Sequence, residues 1–299
     1  SATDPVAVVA ILKELGVAES LSTLIDGESL LNDGVAIVLY SIFSRLAVHE
    51  ETFSPMGTFK EALVLCLGGP AIGVGVGIVS SAVLGFLLND PASEITVTII
   101  AGYGSYLLAE LAEASGVLSM VGAGLYLSYH GLGRISARVT ESLHSFWEMA
   151  EWLANTLIFF LSGLIMAEKA LVSSTVRGVD WAYLLLLYVI LNVTRAFGVA
   201  VCFPVLARGP YGISWRQAML LSWGGLRGAV SLTLSIAVSQ VEGIPEETRA
   251  GISFLIAGIV LLTILINGTT CKPLLNRLGL NSPSEAEREL FIRATNVVE

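Results

Sequence analysis

Between Gly27 and Gly34 the chain reads Gly-Glu-Ser-Leu-Leu-Asn-Asp-Gly, which sets Glu28, Asn32 and Asp33 inside a stretch otherwise suited to a membrane helix. A carboxylate in hydrocarbon is costly on every scale, so an intramembrane Asp or Glu points to function and to a partner nearby. On an α-helix Glu28 and Asn32 lie four apart, as do Ser29 and Asp33, so the four share one stripe about a turn long. An oxygen-rich stripe of this kind suits a hard monovalent cation or a proton.

The elements that must position this stripe follow from composition. The chain has 299 residues, 54% hydrophobic and 14% charged, with a mean hydropathy of +0.77; soluble domains carry about 25% charged residues. These values describe an all-α polytopic membrane protein. The formal charge of -9 comes from acids gathered in loops and the tail, among them Glu50, Glu51, Glu242, Glu285 and Glu289. No basic stripe suggests a nucleic-acid partner. Cys66, Cys202 and Cys271 are far apart in apolar segments, so neither a disulfide framework nor a metal site follows.

At about 20 apolar residues per span, a partial helix is expected at 1–12. Full spans follow at 22–47, 62–89, 95–109, 114–133, 152–167, 181–207, 217–241 and 250–271. Residues 134–151 are amphipathic at helical spacing and are expected to lie along the membrane surface. Residues 272–299 read as the start of a cytoplasmic tail. Threading the spans with that tail inside puts Lys13, Arg134, Arg138, Arg208, Arg216, Lys272 and Arg277 near one face. Arg45, Lys60, Lys169, Arg177 and Arg249 fall near the other, and this asymmetry favours the orientation. No secretory signal is visible, and the chain opens mid-motif at Ser1-Ala2-Thr3-Asp4-Pro5, so upstream helices are expected to be missing.

Five formal charges fall inside these spans: Asp4, Glu28, Asp33, Arg195 and Arg227. Two arginines can neutralise two of the three acids, which leaves one carboxylate to exchange its countercharge. Pro5 and the glycines of Trp223-Gly224-Gly225-Leu226-Arg227-Gly228 break two apolar runs. Paired breaks at membrane depth are the best sequence pointer to a secondary transporter's site. Gly73, Gly75 and Gly77 mimic a nucleotide loop, but Gly69, Gly73 and Gly77 read better as close helix packing. Asn192-Val193-Thr194 and Asn267-Gly268-Thr269 are glycosylation sequons by spelling only.

Three ordered motifs carry a resemblance: Thr3-Asp4-Pro5-Val6-Ala7-Val8, the Gly27–Gly34 run, and Gly224-Gly225-Leu226-Arg227-Gly228-Ala229. The chain resembles the monovalent cation/proton antiporters of the sodium/proton exchanger type. His144-Ser145-Phe146-Trp147-Glu148-Met149-Ala150 and the residues after it look like the plant plasma-membrane salt-tolerance branch, to which sperm-type exchangers are close relatives. The resemblance implies an inverted-repeat fold with two crossing broken helices and with the first four helices absent from this chain. It divides the chain into core transport helices at 1–48 and 181–271 and a scaffold at 62–167 that forms a homodimer in the bilayer, in the plasma membrane.

By the same resemblance Asp33 is the carboxylate that alternately holds Na+ or a proton, with Thr3, Asp4 and Ser29 adding oxygen or water contacts. Asn32 stands where electrogenic relatives have a second Asp, which implies electroneutral exchange. Glu28 and Arg195 resemble the family's buried ion pair, and Arg227 sits in the second crossing helix, where it offsets Asp4 or the exposed helix ends. Neither an enzymatic step nor a cofactor is implied; the partners are lipid, a second copy and monovalent cations. The alternatives are an inactive membrane scaffold, K+ in place of Na+, and a cation channel.

Overall fold

The structure is a computed structural model that describes residues 2–4, 9, 12, 19–48, 55–87, 90–131, 133–168, 178–209 and 212–280. Among these every regular element is helical. The helices are α1 (Glu19–Val48), α2 (Pro55–Leu63), α3 (Gly69–Leu84), α4 (Pro91–Leu111), α5 (Gly116–Tyr126) and α6 (Ala137–Ala167). After them come α7 (Gly178–Arg208), α8 (Trp215–Trp223), α9 (Ala229–Gln240), α10 (Glu246–Leu262) and α11 (Thr269–Leu278). π-helical turns at Val64–Gly68 and Thr263–Gly268 join α2 to α3 and α10 to α11, and a third, Leu127–Gly131, extends α5.

Five helical runs among the described residues are long and apolar enough to cross a membrane: Leu21–Ala47, Met56–Leu84, Ala137–Ala167, Gly178–Arg208 and Glu246–Leu278. Helix α7 shows what solvent they suit. Leu185, Val189, Val193, Phe197, Val201 and Val205 form an i, i+4 stripe in which each residue is more than half exposed. Such a surface is unfavourable in water and natural in lipid. The protein is an integral membrane protein.

The chain divides into two compact units. One comprises Ser1–Asp33, Leu161–Gln240 and Pro245–Glu299; the other comprises Gly34–Phe160 and Val241–Ile244. The first is built on a cluster in which Leu12, Leu21, Leu220 and Leu226 meet Cys271 and Leu275. In the second, α3 and α5 approach so closely that a Cβ on Gly69 would stand 2.6 Å from the Ser115 carbonyl oxygen. A Cβ on Gly122 would stand 2.7 Å from that of Pro70. The glycine stripe of α3 is therefore a packing seam.

The boundary between the compact units falls inside α1, between Asp33 and Gly34. Three expectations change. No separate surface helix exists at 134–151: α6 runs unbroken from Ala137 to Ala167, because neither proline nor a helix-ending glycine separates its amphipathic half from its apolar half. Residues 272–278 are not tail but the end of α11, with Leu275 and Leu278 in the core; the helix stops at Gly279, whose φ of 66° is left-handed. The charges buried in the fold also include Glu94, one residue before the span expected at 95–109. It is fully buried, and its carboxylate accepts bonds from the Ser136 N–H (3.0 Å) and hydroxyl (2.7 Å) at the N-terminus of α6. Pro5 with Val6–Val8, the side chains of Lys13, Lys169 and Arg177, and the tail from 281 onward lie outside the described residues.

Candidate functional site

The Gly27–Gly34 motif lies mid-way along α1, which is uninterrupted there, so its stripe keeps helical spacing. Against it runs Thr3, whose backbone is not helical. The Thr3 N–H donates to Asp33 Oδ1 at 3.2 Å, and the Thr3 carbonyl accepts from the Ser29 hydroxyl. Asn32 Nδ2 donates to Thr3 Oγ1 at 3.2 Å and to Glu28 Oε1 at 2.5 Å. Thr3 and Ser29 are both buried, and their hydroxyls lie 3.5 Å apart. Thr3, Ser29, Asn32 and Asp33 thus form one cluster of oxygens and amides around an extended backbone.

The second interruption is set by sequence on both sides. Ser214 begins α8 with a capping box, accepting from the Gln217 N–H while Gln217 Oε1 accepts from the Ser214 N–H at 2.8 Å. Gly224 ends α8 after Trp223, and α9 starts at Ala229. Within the gap Leu226 pairs with Asp4 in an isolated antiparallel bridge, the Asp4 N–H donating to the Leu226 carbonyl at 2.8 Å. The non-helical residues 2–4 and 224–228 therefore meet backbone to backbone.

Opposite charges stand at the two ends of that gap. A Cβ on Gly228 would fall onto the Asp4 carboxylate, so Asp4 lies against the N-terminal, positive end of α9. A Cβ on Gly225 would fall onto the Arg195 guanidinium, whose Nε donates to the Leu221 carbonyl at 3.2 Å near the C-terminal, negative end of α8. Glycine is required at both positions because charged groups occupy the space of a side chain. Arg195 also forms a two-point ion pair with Glu28, Nη1 to Oε1 at 3.1 Å and Nη2 to Oε2 at 2.7 Å. Arg227 is 6% exposed and donates from Nη1 to the Ala2 carbonyl at 3.1 Å.

A cavity of about 830 Å³ is lined by Glu28, Asn32, Arg195 and Arg227 among apolar walls such as Leu24, Leu191 and Val199; of the oxygen cluster only Asn32 reaches it. Chemically, the hydroxyls of Thr3 and Ser29, the Thr3 carbonyl and the Asp33 carboxylate are hard oxygen donors of the kind that alkali cations prefer.

Counting formal charges overlooks the neutral half of the site. Asn267 is 1% exposed and accepts from the Tyr188 hydroxyl at 2.6 Å. Its Nδ2 donates to Asn192 Oδ1 at 2.9 Å and to the Trp223 carbonyl at 3.1 Å. The hydroxyl of Thr263, 3% exposed, accepts from the Arg227 N–H at 3.2 Å. Their sequence signal is two asparagines in apolar runs, Asn192 and Asn267, each also spelling a glycosylation sequon.

The family profile described as "Sodium/hydrogen exchanger, transmembrane" matches residues 1–277. Over 297 residues the chain is 40% identical to sodium/hydrogen exchanger 8 of Arabidopsis thaliana, covering 97% of this chain and 39% of that protein. It is 43% identical over 287 residues to sodium/hydrogen exchanger 7 of the same plant, covering 94% of this chain and 25% of that one. Identity to the Na(+)/H(+) antiporter NhaG of Bacillus atrophaeus is 33%, covering 97% of the chain and 53% of the relative. The chain thus spans well under two thirds of the length of these relatives. In fold it is similar to the sodium proton antiporter MjNhaP1 from Methanocaldococcus jannaschii, with a TM-score of 0.72 at 19% identity over 94% of this chain and 69% of that one. The chain belongs to the transmembrane sodium/hydrogen exchanger family.

Proposed function

We propose that the full-length protein exchanges sodium for protons across a membrane, one for one, by competition of the two cations for Asp33. The observation that carries this reading is the gathering of Thr3, Ser29 and Asp33 oxygens where two non-helical segments meet at the Asp4–Leu226 bridge. Family membership and the names of the Arabidopsis and Bacillus relatives support the cation/proton class.

Each group has a role in that exchange. Asp33 carries the exchanged charge: sodium binding expels its proton, and protonation expels sodium. Its bond from the Thr3 N–H, with the hydroxyls of Thr3 and Ser29 nearby, offers oxygens that replace water around a bare cation. Asp4 adds negative potential at the N-terminus of α9, next to the same crossing. Glu28 is committed to Arg195 and leaves Asp33 as the exchanging group. Asn32 contributes no charge, so one sodium is balanced by one proton and the cycle is electroneutral. Alternating access opens the site to one side at a time. On this reading the protein works as a homodimer in the plasma membrane and contributes to salt tolerance.

The test is pH-gradient-driven uptake of sodium, potassium and lithium by the full-length protein in proteoliposomes, with and without a membrane potential. Uptake of sodium insensitive to the potential is expected, and Asp33→Asn is expected to abolish it while the protein remains folded in detergent. Sodium-driven proton flux retained in Asp33→Asn overturns the assignment.

A further inference from the structure

The gap between α8 and α9 is one helical turn long. In a continuous α-helix the Arg227 N–H would donate to the Trp223 carbonyl, four residues back. Here that single bond is divided. The Trp223 carbonyl accepts from Asn267 Nδ2 at 3.1 Å, and the Arg227 N–H donates to Thr263 Oγ1 at 3.2 Å. Thr263 and Asn267 are themselves four apart, within the π-helical turn Thr263–Gly268, so one turn of a neighbouring helix supplies donor and acceptor to the two ends of the missing turn.

Both side chains are held for this task. The Asn267 amide is oriented by the Tyr188 hydroxyl at 2.6 Å and by Asn192 Oδ1 at 2.9 Å, and Asn192 is fixed in turn by donating to the Tyr188 carbonyl at 2.9 Å. The Thr263 hydroxyl donates to the Val260 carbonyl at 3.0 Å, which leaves its lone pairs toward Arg227. None of these groups titrates near neutral pH, so the arrangement is indifferent to the proton being carried. Buried peptide groups without partners are strongly disfavoured. Without the two side chains, the backbone of 223–227 would regain partners by closing the turn. Closure would withdraw the Leu226 carbonyl from Asp4 and the Arg227 side chain from the Ala2 carbonyl.

We infer that Thr263 and Asn267 are positioning residues that hold the second interruption open and thereby set cation affinity at the crossing. This rests on the exchange reading above, and the experiment keeps the two apart. Thr263→Val and Asn267→Leu, each close in size to the native side chain, are made in the full-length protein alongside the conservative Thr263→Ser. Hydrogen exchange over residues 221–229 reads the clamp without any transport, and proteoliposome flux reads sodium KM and the pH profile. A change in amide protection of about tenfold and a rise in sodium KM of similar size are expected for Thr263→Val and Asn267→Leu, with Thr263→Ser near the parent. Unchanged protection and unchanged KM in both variants overturn the inference. So does altered protection with KM and pH profile intact, which leaves the pair a structural role only. If the unsubstituted protein exchanges nothing, the function proposed above falls, and hydrogen exchange alone then decides whether the pair holds the gap open.

Discussion

The two non-helical segments that meet in the first unit, 2–4 and 224–228, are held in different ways. At Thr3 the non-helical main chain is served by Ser29 and Asp33, with Asn32 bonded to the Thr3 hydroxyl: short polar groups on one face of α1 that the proposed exchange turns from protein to an ion. At Gly224–Gly228 the open ends are served by Thr263 and Asn267, neutral groups locked by their own neighbours. On the proposed reading the first is a site and the second a frame. They are joined by the Asp4–Leu226 bridge and by the approach of Asp4 to Gly228. A transporter needs both properties at one depth, a group that gives up its partner and a backbone that stays where it is.

Substitutions at the junction should separate the two. The largest effect is expected for Gly228→Ala, whose Cβ falls onto the Asp4 carboxylate. Overpacking costs about 1–3 kcal/mol, so exchange should drop by about tenfold to a hundredfold. Gly251→Ala is the matched control, since nothing lies within 4 Å of a Cβ there. Equal flux in both variants would break the link between site and frame. A smaller effect, on stability first, is expected for Glu28→Gln. It strands the Arg195 guanidinium, 12% exposed, in exchange for a neutral amide. Glu28 keeps 31% exposure, which moderates the loss to about 2 kcal/mol. Thermal unfolding in detergent should shift down by several degrees; an unchanged transition would remove the pair from the scaffold of the site.

Charge and glycine made both segments legible and left hidden the neutral groups that hold the second. Glu28, Asp33, Arg195 and Arg227 stand out in apolar sequence because lipid forbids unpaired charge, and the glycines around Arg227 mark an interruption without any structure. The glycine stripe of α3 was readable for a similar reason, since small residues at that spacing do little else in a membrane helix. Asn267 and Thr263 carry no charge, and their partners lie far from them in sequence, so only the fold brings them to Trp223 and Arg227. Glu94 escaped because a carboxylate at the start of a helix resembles an interfacial residue. Its burial depends on Ser136, 42 residues later, which no local pattern announces. The amphipathic pattern of 134–151 does not say where a helix ends, and α6 has neither proline nor glycine between its amphipathic and its apolar half.

Competition of sodium and proton for one carboxylate is tested most directly by the sodium KM of the full-length protein in proteoliposomes, measured across a range of pH. In the acidic limb a tenfold rise in proton concentration should raise the apparent KM by up to about tenfold at constant maximal rate, since two ligands excluding each other from one site must do so reciprocally. A KM that stays flat while the maximal rate falls would contradict a shared site at Asp33.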